Sequence, residues 1–531
     1  MQLARPIFLN GMMGTGKSTL GRALAERVRV PFVDLDAEVE RRAGVPIREI
    51  FAKQGEAAFR TLEREVLLNQ LDILAPRVVA LGGGSLLGRG VRLRALQCGF
   101  VVTLAASAAV LIERMSGDES RPLLLGSPSS AESRIQELID ARASAYAEAH
   151  LVVETGGRAI DDLTTEVLRL VAHDPIPVPL ADRTYVVDVV GGAGDEHLAA
   201  ALKRLAPSRV VVVTDENVDP LVVRRLTALT RYESIVKIVL PAGERHKTLA
   251  SVETILRAAI DAPVDRQAVV VGVGGGVITD IAGLAAALAL RGLRWIAVPT
   301  TTLAMVDASV GGKTAVDLGA AKNAVGAFHQ PSRVIVDPSL TRTESIRAVR
   351  SGLAEVIKTA LIGDAALYAE LSAPGGAERL GHERDPVALA RAIRSSIAVK
   401  AGVVGRDERE SGERAHLNLG HTVGHALEAE GGFERLTHGE AVALGLVAAL
   451  RVGVALGVTG PTLAADVVRL LGRLGLPCDL DAEPLESSLR WVAYDKKRAG
   501  GALRFVLIRA PGAVEVIKIA PSELPKLLGK T

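Results

Sequence analysis

The sequence predicts an α/β protein with parallel sheets, followed by a helical region. Three observations carry this reading. Short runs such as Arg209–Val213 and Gln267–Val273 are rich in β-branched residues and nearly continuous in apolar character, as strands buried on both faces must be. Such runs alternate with stretches of helical period, several of them across a glycine turn. Beyond residue 340 they give way to Ala- and Leu-rich segments with helical spacing.

The elements follow in order. Arg5–Leu9 is a short apolar strand, and Ser18–Arg29 has the spacing of a helix. Arg77–Leu81 and Gly99–Leu104 are further candidates for buried strands. His173–Leu180 holds three prolines in eight residues, which removes backbone donors and favours an extended chain, so it reads as a semi-rigid linker. After it, Arg209–Val213, Ile235–Leu240 and Gln267–Val273 are expected strands. Arg347–Ile362, Pro386–Val403, Ala415–Glu430 and Gly439–Val458 are expected helices. The expected domains are therefore 1–172, a linker at 173–180, an α/β domain at 181–340 and an all-helical domain at 341–531.

Composition bounds the function. Lys plus Arg number 63 against 61 Asp plus Glu, a net charge of +2, which is no electrostatic footprint for nucleic acid. Aromatics at 3% leave no base-stacking platform and require an aliphatic core. Cys98 and Cys478 are the two cysteines, which excludes a disulfide framework and fits a reducing, cytoplasmic compartment. Ala441–Leu450 comes nearest to a membrane span and Arg451 interrupts it, so none is expected. The first apolar stretch, Pro6–Asn10, runs into a glycine loop rather than a cleavage site, so no signal peptide is expected.

Residues 11–18 read GMMGTGKS, a phosphate-binding loop between a strand and a helix. Gly11, Gly14 and Gly16 let the backbone amides turn toward a phosphate chain. Lys17 would reach its outer phosphates, Ser18 would ligate Mg²⁺ and Thr19 is a further nucleotide-binding candidate. Phe32–Asp36 then places Asp34 and Asp36 two apart at a strand end, so both carboxylates are expected on one face. Arg60, the glycines Gly82, Gly83 and Gly84, Arg121 in a polar stretch, and Arg142 with Tyr146 at i, i+4 follow. Two arginines suit a small anionic acceptor.

In this order these motifs closely resemble shikimate kinase, from residue 1 to about 172. The resemblance implies a P-loop kinase fold that uses ATP and Mg²⁺ to phosphorylate the 3-hydroxyl of shikimate. Asp36 would hold and deprotonate that hydroxyl, and Asp34 would help hold Mg²⁺. Arg60 and Arg142 would clamp the shikimate carboxylate, Gly82–Gly84 would approach the ring, and Arg121 would close over the transferring phosphate. Ala143-Ser144 departs from the family, which usually has a proline there.

The second part has its own pattern. Gly272–Gly276 closes an apolar strand, and Asp280 follows on a helix, a setting that suits a pyrophosphate on backbone amides. Asp215 after one strand, and Gly243, Glu244 and Lys247 after another, suggest a single crevice at the sheet's carboxyl edge. Arg414, Asn418, His421 and His425 recur at i, i+4, i+7 and i+11, one stripe of one expected helix. Glu355, three residues before Lys358, joins His421 and His438 as a two-His, one-carboxylate metal set with open positions. Asp307, Lys313, Lys322, Asn323, Arg291, Lys400 and the pair Lys496–Lys497 add charge that suits a phosphorylated, anionic substrate.

PAGERHK, GVGGGVITDIAG, VDASVGGKTAV, KNAVGAFHQP, GLAEVIK, HLNLGHTVGHALE, HGEAVALG and DKK together resemble 3-dehydroquinate synthase, over about 181–525. The resemblance implies a Rossmann-like domain binding NAD⁺ and a helical metal-binding domain. NAD⁺ would meet Asp215, Gly243, Glu244, Lys247, Gly274, Gly275, Gly276, Asp280, Thr300, Thr301, Lys313 and Lys322. Zn²⁺ or Co²⁺ would sit at Glu355, His421 and His438. The substrate would be 3-deoxy-D-arabino-heptulosonate 7-phosphate. Its carboxylate would meet Lys400, Arg414 and Asn418. Its phosphate would meet Lys313, Asn323, His425 and one of Lys496 and Lys497. Arg291 would reach the phosphate from a neighbouring subunit of a homodimer, and Asp307 and Lys358 would hold the reacting hydroxyls. Asp317 departs from the family's usual Asn, and is expected either to weaken phosphate binding at Lys313 or to pair with Lys322.

The expectation is a bifunctional enzyme of the shikimate pathway. A kinase fused to a metal-dependent polyol dehydrogenase is the alternative, and it leaves the lysine and arginine set without a purpose. A non-catalytic regulator would leave the metal set and both acceptor clamps unused.

Overall fold

The structure is a computed structural model describing residues 3–115, 128–230, 235–319, 321–497 and 503–529. The chain divides into two compact units, Met1–Val186 and Val187–Thr531.

The first unit alternates strand and helix: β1 (Ile7–Gly11), α1 (Lys17–Val28), β2 (Phe32–Asp34), α2 (Leu35–Ala43), α3 (Ile47–Asp72), β3 (Val78–Ala80), α4 (Arg89–Cys98), β4 (Phe100–Ala105), α5 (Ala108–Met115), α6 (Pro128–Ala147), β5 (Leu151–Glu154) and α7 (Ile160–Ala172). The strands form one parallel sheet in the order β2-β3-β1-β4-β5. Strand alternation divides its core. Ile7 and Leu9 pack with Leu20, Leu24 and Val167 on one face, while Phe8 packs with Leu35, Leu67 and Ala95 on the other. Aliphatic side chains fill most of both faces, with Phe8 and Phe59 on one and Phe100 on the other. The expected linker contains a short strand, β6 (Ile176–Val178).

The second unit opens with β7 (Tyr185–Val189), α8 (Gly194–Leu205), β8 (Val210–Asp215), α9 (Val218–Leu221), α10 (Thr227–Thr230), β9 (Ile235–Leu240), α11 (Leu249–Asp261), β10 (Val269–Gly274), α12 (Gly276–Leu288) and β11 (Arg294–Pro299). A hairpin of β12 (Lys313–Leu318) and β13 (Ala321–Phe328) precedes β14 (Arg333–Val336). The sheet runs β7-β14-β11-β10-β8-β9, and its β10, β8, β9, β11 and β14 pairings are parallel. The β-branched runs lie at its centre: Val210, Val212, Val269 and Val271 fill one face.

The rest is mainly helical: α13 (Ile346–Gly363), α14 (Ala365–Ser372), α15 (Gly376–Gly381), α16 (Pro386–Arg406), α17 (His421–Glu430), α18 (His438–Ala455), α19 (Pro461–Arg473) and α20 (Leu485–Lys497). Capping residues set the starts. Asp385 caps α16 ahead of Pro386, and Thr437 with Glu440 forms a capping box at α18. A hairpin, β15 (Leu503–Ala510) and β16 (Ala513–Ile519), also belongs to this region, beside α18. Its turn is tied to α13 by the Gly512 amide donating to Leu361 O at 2.8 Å. By length and composition α18 alone among the described residues could cross a membrane, yet it is a buried core helix here.

One expected helix is interrupted. Periodicity predicts one continuous helix over Ala415–Glu430, and the structure has a short 3-10 turn at Glu413–Asn418, a break, and then α17. Gly420 sits at φ 79°, a left-handed conformation that ends one helical path and starts another. Arg414 and Asn418 therefore do not share a helical stripe with His421 and His425.

Candidate active sites

In the first unit, β1 ends at Gly11 and the chain wraps over the start of α1. Gly14 and Gly16 take φ of 78° and 92°, which a side chain would strain. Lys17 Nζ donates to Gly11 O and Met12 O, both at 2.8 Å, so the loop folds around its own lysine. Ser18 Oγ donates to Asp34 Oδ2 at 2.8 Å. The strand alternation expected for Asp34 and Asp36 is not what joins them. β2 stops at Asp34, which caps α2 and accepts the Asp36 amide at 3.2 Å, so Asp36 lies in the first helical turn. A cavity of about 530 Å³ is lined by Gly14, Gly16, Lys17, Ser18, Thr19, Asp34, Asp36, Gly82 and Gly83 among others. Gly11 stays in β1, where a Cβ would lie 2.2 Å from Leu104 O.

Close approach explains the second glycine run. A Cβ on Gly82 would lie 2.4 Å from Glu63 Oε1 and 3.2 Å from Asp36 Oδ1, and one on Gly84 would lie 2.8 Å from Arg60 Nη1. Arg142 Nη1 and the Tyr146 hydroxyl donate to Gly83 O at 3.3 and 2.7 Å. Asp36, Arg60, Gly82–Gly84 and Arg142 thus lie together, with Asp36, Gly82 and Gly83 on the cavity wall and Arg60 and Arg142 packed against that glycine run. α6 runs through Ala143 and Ser144 without a break. Arg121 lies outside the described residues.

Glu63 was not singled out from the sequence. It is buried, accepts Arg60 Nη1 at 2.8 Å and Ser85 Oγ at 2.7 Å, and fixes the arginine's direction. Its i, i+3 spacing from Arg60 was the available signal. The Asp36 carboxyl is raised above its ordinary range, first by desolvation and then by Asp34 and Glu63, while Lys17 opposes this. Arg114, also missed, lines the cavity and donates to Thr155 O at 2.7 Å.

In the second unit a cavity of about 900 Å³ runs from the carboxyl edge of the sheet to the helical region. On the sheet side it is lined by Asp215, Gly243, Glu244, Lys247, Gly275, Gly276, Asp280 and Thr301. Asp215 Oδ1 accepts the Asn217 and Val218 amides at 2.9 and 3.0 Å, which orders its loop. Lys247 Nζ pairs with Asp280 at 2.6 Å and donates to Asn323 Oδ1 at 2.5 Å. Burial pushes the Asp280 carboxyl up to about 6, against the pull of Lys247. Gly274 and Thr300 lie just behind the lining. Thr300 is buried with its amide on Gly274 O, and a Cβ on Gly274 would lie 2.6 Å from Ile278 Cβ.

The metal set is built by close helix contacts. Glu355 comes from α13, His421 from the start of α17 and His438 from the start of α18. A Cβ on Gly439 would lie 1.8 Å from Ser351 O, and one on Gly445 would lie 1.8 Å from Gly420 O. Glycine at these positions is what brings the three helices together. Glu355 Oε1 is buried without a hydrogen bond of regular geometry, 3.7 Å from His421 Nε2 and 3.4 Å from His438 Nε2. Tetrahedral ligands about 2.1 Å from a Zn²⁺ ion stand about 3.4 Å apart, so the donor set fits a divalent cation. Burial pushes His421 down to about 3, which keeps its ring neutral and able to ligate. Burial also opposes a charge on His438, but Glu355 and Glu428 outweigh it and raise the ring to about 9. That pull toward positive charge is what a cation would satisfy.

Around the set, Lys358 pairs with Glu355 and lies 4.0 Å from Asp307 Oδ1, while Lys400 donates to Asp307 Oδ1 at 2.6 Å. Burial disfavours the Asp307 carboxylate, but Lys400 and Lys358 prevail and hold it well below the usual aspartate range. Arg414 Nη2 donates to Gly311 O at 3.1 Å. Lys313, Lys322, Asn323, Lys400, Arg414, Asn418 and His425 all line the cavity, so the broken helix still delivers its residues.

Two acidic partners were missed. Glu410 holds both Lys313 and Asn418. Glu428 holds Lys322 and His438, and Glu244 also faces Lys322 at 3.4 Å. Asp317 does not pair with Lys322, whose ion pairs are with Glu244 and Glu428. It accepts the Asn323 amide at 2.7 Å and so caps the hairpin turn, where Asn323 takes φ 52°. Arg291 is exposed outside the cavity lining, at φ 66°. The side chains of Lys496 and Lys497 lie outside the described residues.

Comparison with known proteins follows the two units. Residues 13–172 match the shikimate kinase family. Residues 237–351 match the family described as 3-dehydroquinate synthase N-terminal, and residues 352–498 the one described as 3-dehydroquinate synthase C-terminal. The 3-dehydroquinate synthase of Halorhodospira halophila is 43% identical over 352 residues, 66% of this chain and 98% of that protein. A 2-epi-5-epi-valiolone synthase from Streptomyces hygroscopicus, solved with NAD⁺ and Zn²⁺ bound, is 28% identical with a TM-score of 0.59, covering 65% of this chain and 95% of that one. A 2-deoxy-scyllo-inosose synthase complexed with carbaglucose-6-phosphate, NAD⁺ and Co²⁺ shares the fold at 24% identity and a TM-score of 0.58, covering 67% of this chain and 99% of that one.

Proposed function

Because the chain belongs to the 3-dehydroquinate synthase family and carries a shikimate kinase domain ahead of it, we propose that one polypeptide performs both reactions, at two separate sites. The first unit transfers a phosphoryl group from ATP to the 3-hydroxyl of shikimate. The second converts 3-deoxy-D-arabino-heptulosonate 7-phosphate to 3-dehydroquinate and phosphate.

In the kinase, the loop amides from Gly14 to Lys17 receive the phosphates, and Lys17 moves from Gly11 O and Met12 O onto them. Ser18 and Asp34, already joined, hold Mg²⁺. Asp36 accepts the hydroxyl proton, and its raised carboxyl suits a base that must take up a proton. Arg60 and Arg142 orient the substrate carboxylate, with Glu63 and Gly83 O steadying them. Arg121 is assigned to the transferring phosphate by resemblance. Catalysis here is positioning and charge stabilisation.

In the synthase, NAD⁺ supplies reversible hydride acceptance and the divalent metal supplies a Lewis acid for the reacting hydroxyl. Glu355, His421 and His438 hold the metal. Asp215, Gly243, Glu244, Lys247, Gly275, Gly276, Asp280, Thr301, Lys313 and Lys322 would hold the dinucleotide, with Gly274 and Thr300 supporting the wall behind them. Lys400, Arg414 and Asn418 bind the substrate carboxylate. Lys313, Asn323, His425 and one of Lys496 and Lys497 bind its phosphate. Asp307, with Lys358 and Lys400 against it, holds a substrate hydroxyl and stays ionised while doing so. Arg291, exposed away from its own cavity, serves the site of a second copy in a homodimer. Two free cysteines support a cytoplasmic location.

The observation that carries the synthase reading is the lysine and arginine set beside the metal donors in one cavity. An uncharged polyol has no use for it, so the dehydrogenase alternative is disfavoured. The test is phosphate release from the heptulosonate phosphate by the full chain with substoichiometric NAD⁺. Release without net NADH, abolished by a chelator and restored by Zn²⁺ or Co²⁺, is the expected result. NADH accumulating in step with substrate consumption would contradict it.

A further inference from the structure

We propose that Glu428 is a positioning residue of the metal centre, fixing the ring orientation and tautomer of His438. This rests on the reading of Glu355, His421 and His438 as ligands. Glu428 is 2% exposed, and a carboxylate so buried must be paired. Its oxygens lie 3.3 and 3.4 Å from His438 Nδ1. The opposite ring nitrogen, Nε2, faces Glu355 Oε1 at 3.4 Å. With the Nδ1 proton donated to Glu428, the Nε2 lone pair is directed at the metal position, and the ring cannot turn over without losing that bond. The two residues are on different helices, α17 and α18, so the bond also fixes the spacing of the ligands those helices carry.

Glu428 has a second partner. Its Oε1 accepts Lys322 Nζ at 3.2 Å, from β13 on the sheet side of the cavity. Lys322 holds the carboxylate in place from that side. The proposed cofactor crevice is thereby linked to the metal ligands through one buried carboxylate. One Glu428 oxygen also lies within 4.8 Å of a His425 ring nitrogen, so ligation of a second ion is the competing role, and stoichiometry separates the two.

The test uses the full chain stripped of metal. Co²⁺ and Zn²⁺ affinities are measured by competition with a chromophoric chelator, alongside the Co²⁺ absorption spectrum. Glu428→Ala is expected to weaken binding by roughly 10- to 100-fold and to change the spectrum. Glu428→Gln, which keeps an acceptor oxygen, recovers most of the affinity. Kinase turnover by the same samples and their circular dichroism report folding. Histidine-selective nitrogen NMR of the wild-type Zn²⁺ form needs no variant, and is expected to show His438 protonated at Nδ1 and metal-bound through Nε2.

Wild-type affinity and spectrum in Glu428→Ala, or a His438 bound through Nδ1, overturns the proposal. So does a second equivalent of metal that Glu428→Ala removes. His438→Ala is the control for the underlying reading. If it binds Co²⁺ like the wild type, the ligand set is wrong; if it loses Co²⁺ while Glu428→Ala does not, only the role of Glu428 fails.

Discussion

Gly439→Ala tests whether helix proximity builds the metal site. The added Cβ would lie 1.8 Å from Ser351 O, where real contacts stay above 3.0 Å, so α18 and α13 must part by about 1.2 Å. The obstructing atom is backbone, and no side-chain rotation relieves it. His438 is the next residue, and Glu355 is one turn along α13 from Ser351. A separation of 3.4 Å between Glu355 Oε1 and His438 Nε2 would open by a similar distance, beyond what one ion spans. Overpacking of this kind costs about 1–3 kcal/mol of stability. Thermal unfolding followed by circular dichroism and Zn²⁺ competition should therefore show a lowered melting temperature and Zn²⁺ affinity reduced at least tenfold. Gly460→Ala is the control, since a Cβ there meets nothing within 4 Å. Kinase activity should persist in both variants. Wild-type Zn²⁺ affinity in a folded Gly439→Ala protein would mean that the close packing of α13 and α18 does not build the site.

Three further outcomes are expected. Glu63→Gln removes a negative charge beside Asp36, so the ionised aspartate is less disfavoured and its raised pKa falls; the acid limb of the kinase kcat/KM profile should move to lower pH, and an unmoved limb would remove Asp36 or Glu63 from that role. Gly84→Ala puts a Cβ 2.8 Å from Arg60 Nη1, a movable side-chain end, so the KM for shikimate should rise on the order of tenfold with little change in melting temperature. Equal KM values would detach Arg60 from substrate binding. Asp317→Ala frees the Asn323 amide and its left-handed backbone, so the synthase KM should rise, while Asp317→Asn, which keeps an acceptor, should stay near wild type. Matching values for all three proteins would leave the turn cap without a catalytic consequence.

Much of this was legible in the sequence, for identifiable reasons. Val210–Asp215 and Val269–Gly274 are strands because their β-branched runs leave no polar face, and the runs themselves said so. The phosphate loop announced itself by glycines that take positive φ. The break at Gly420 was hidden, because Arg414, Asn418, His421 and His425 keep a helical spacing across it, and periodicity does not register one left-handed residue. The hairpin after residue 502 was readable from Pro511-Gly512 between two alternating runs, but the helical neighbours obscured it. Glu428 was out of reach for a different reason. Its partner Lys322 is 106 residues away, and only the fold shows that a buried carboxylate has found its cation.

We propose two independent sites on one chain. Lys17→Ala and Glu355→Ala, each in the full chain and each assayed for both reactions, test this most directly. Lys17→Ala should lower ATP-dependent shikimate phosphorylation by about a hundredfold or more while phosphate release from the heptulosonate phosphate stays at the wild-type rate. Glu355→Ala should do the reverse. Loss of both activities in either folded variant, or loss of neither, would contradict the account.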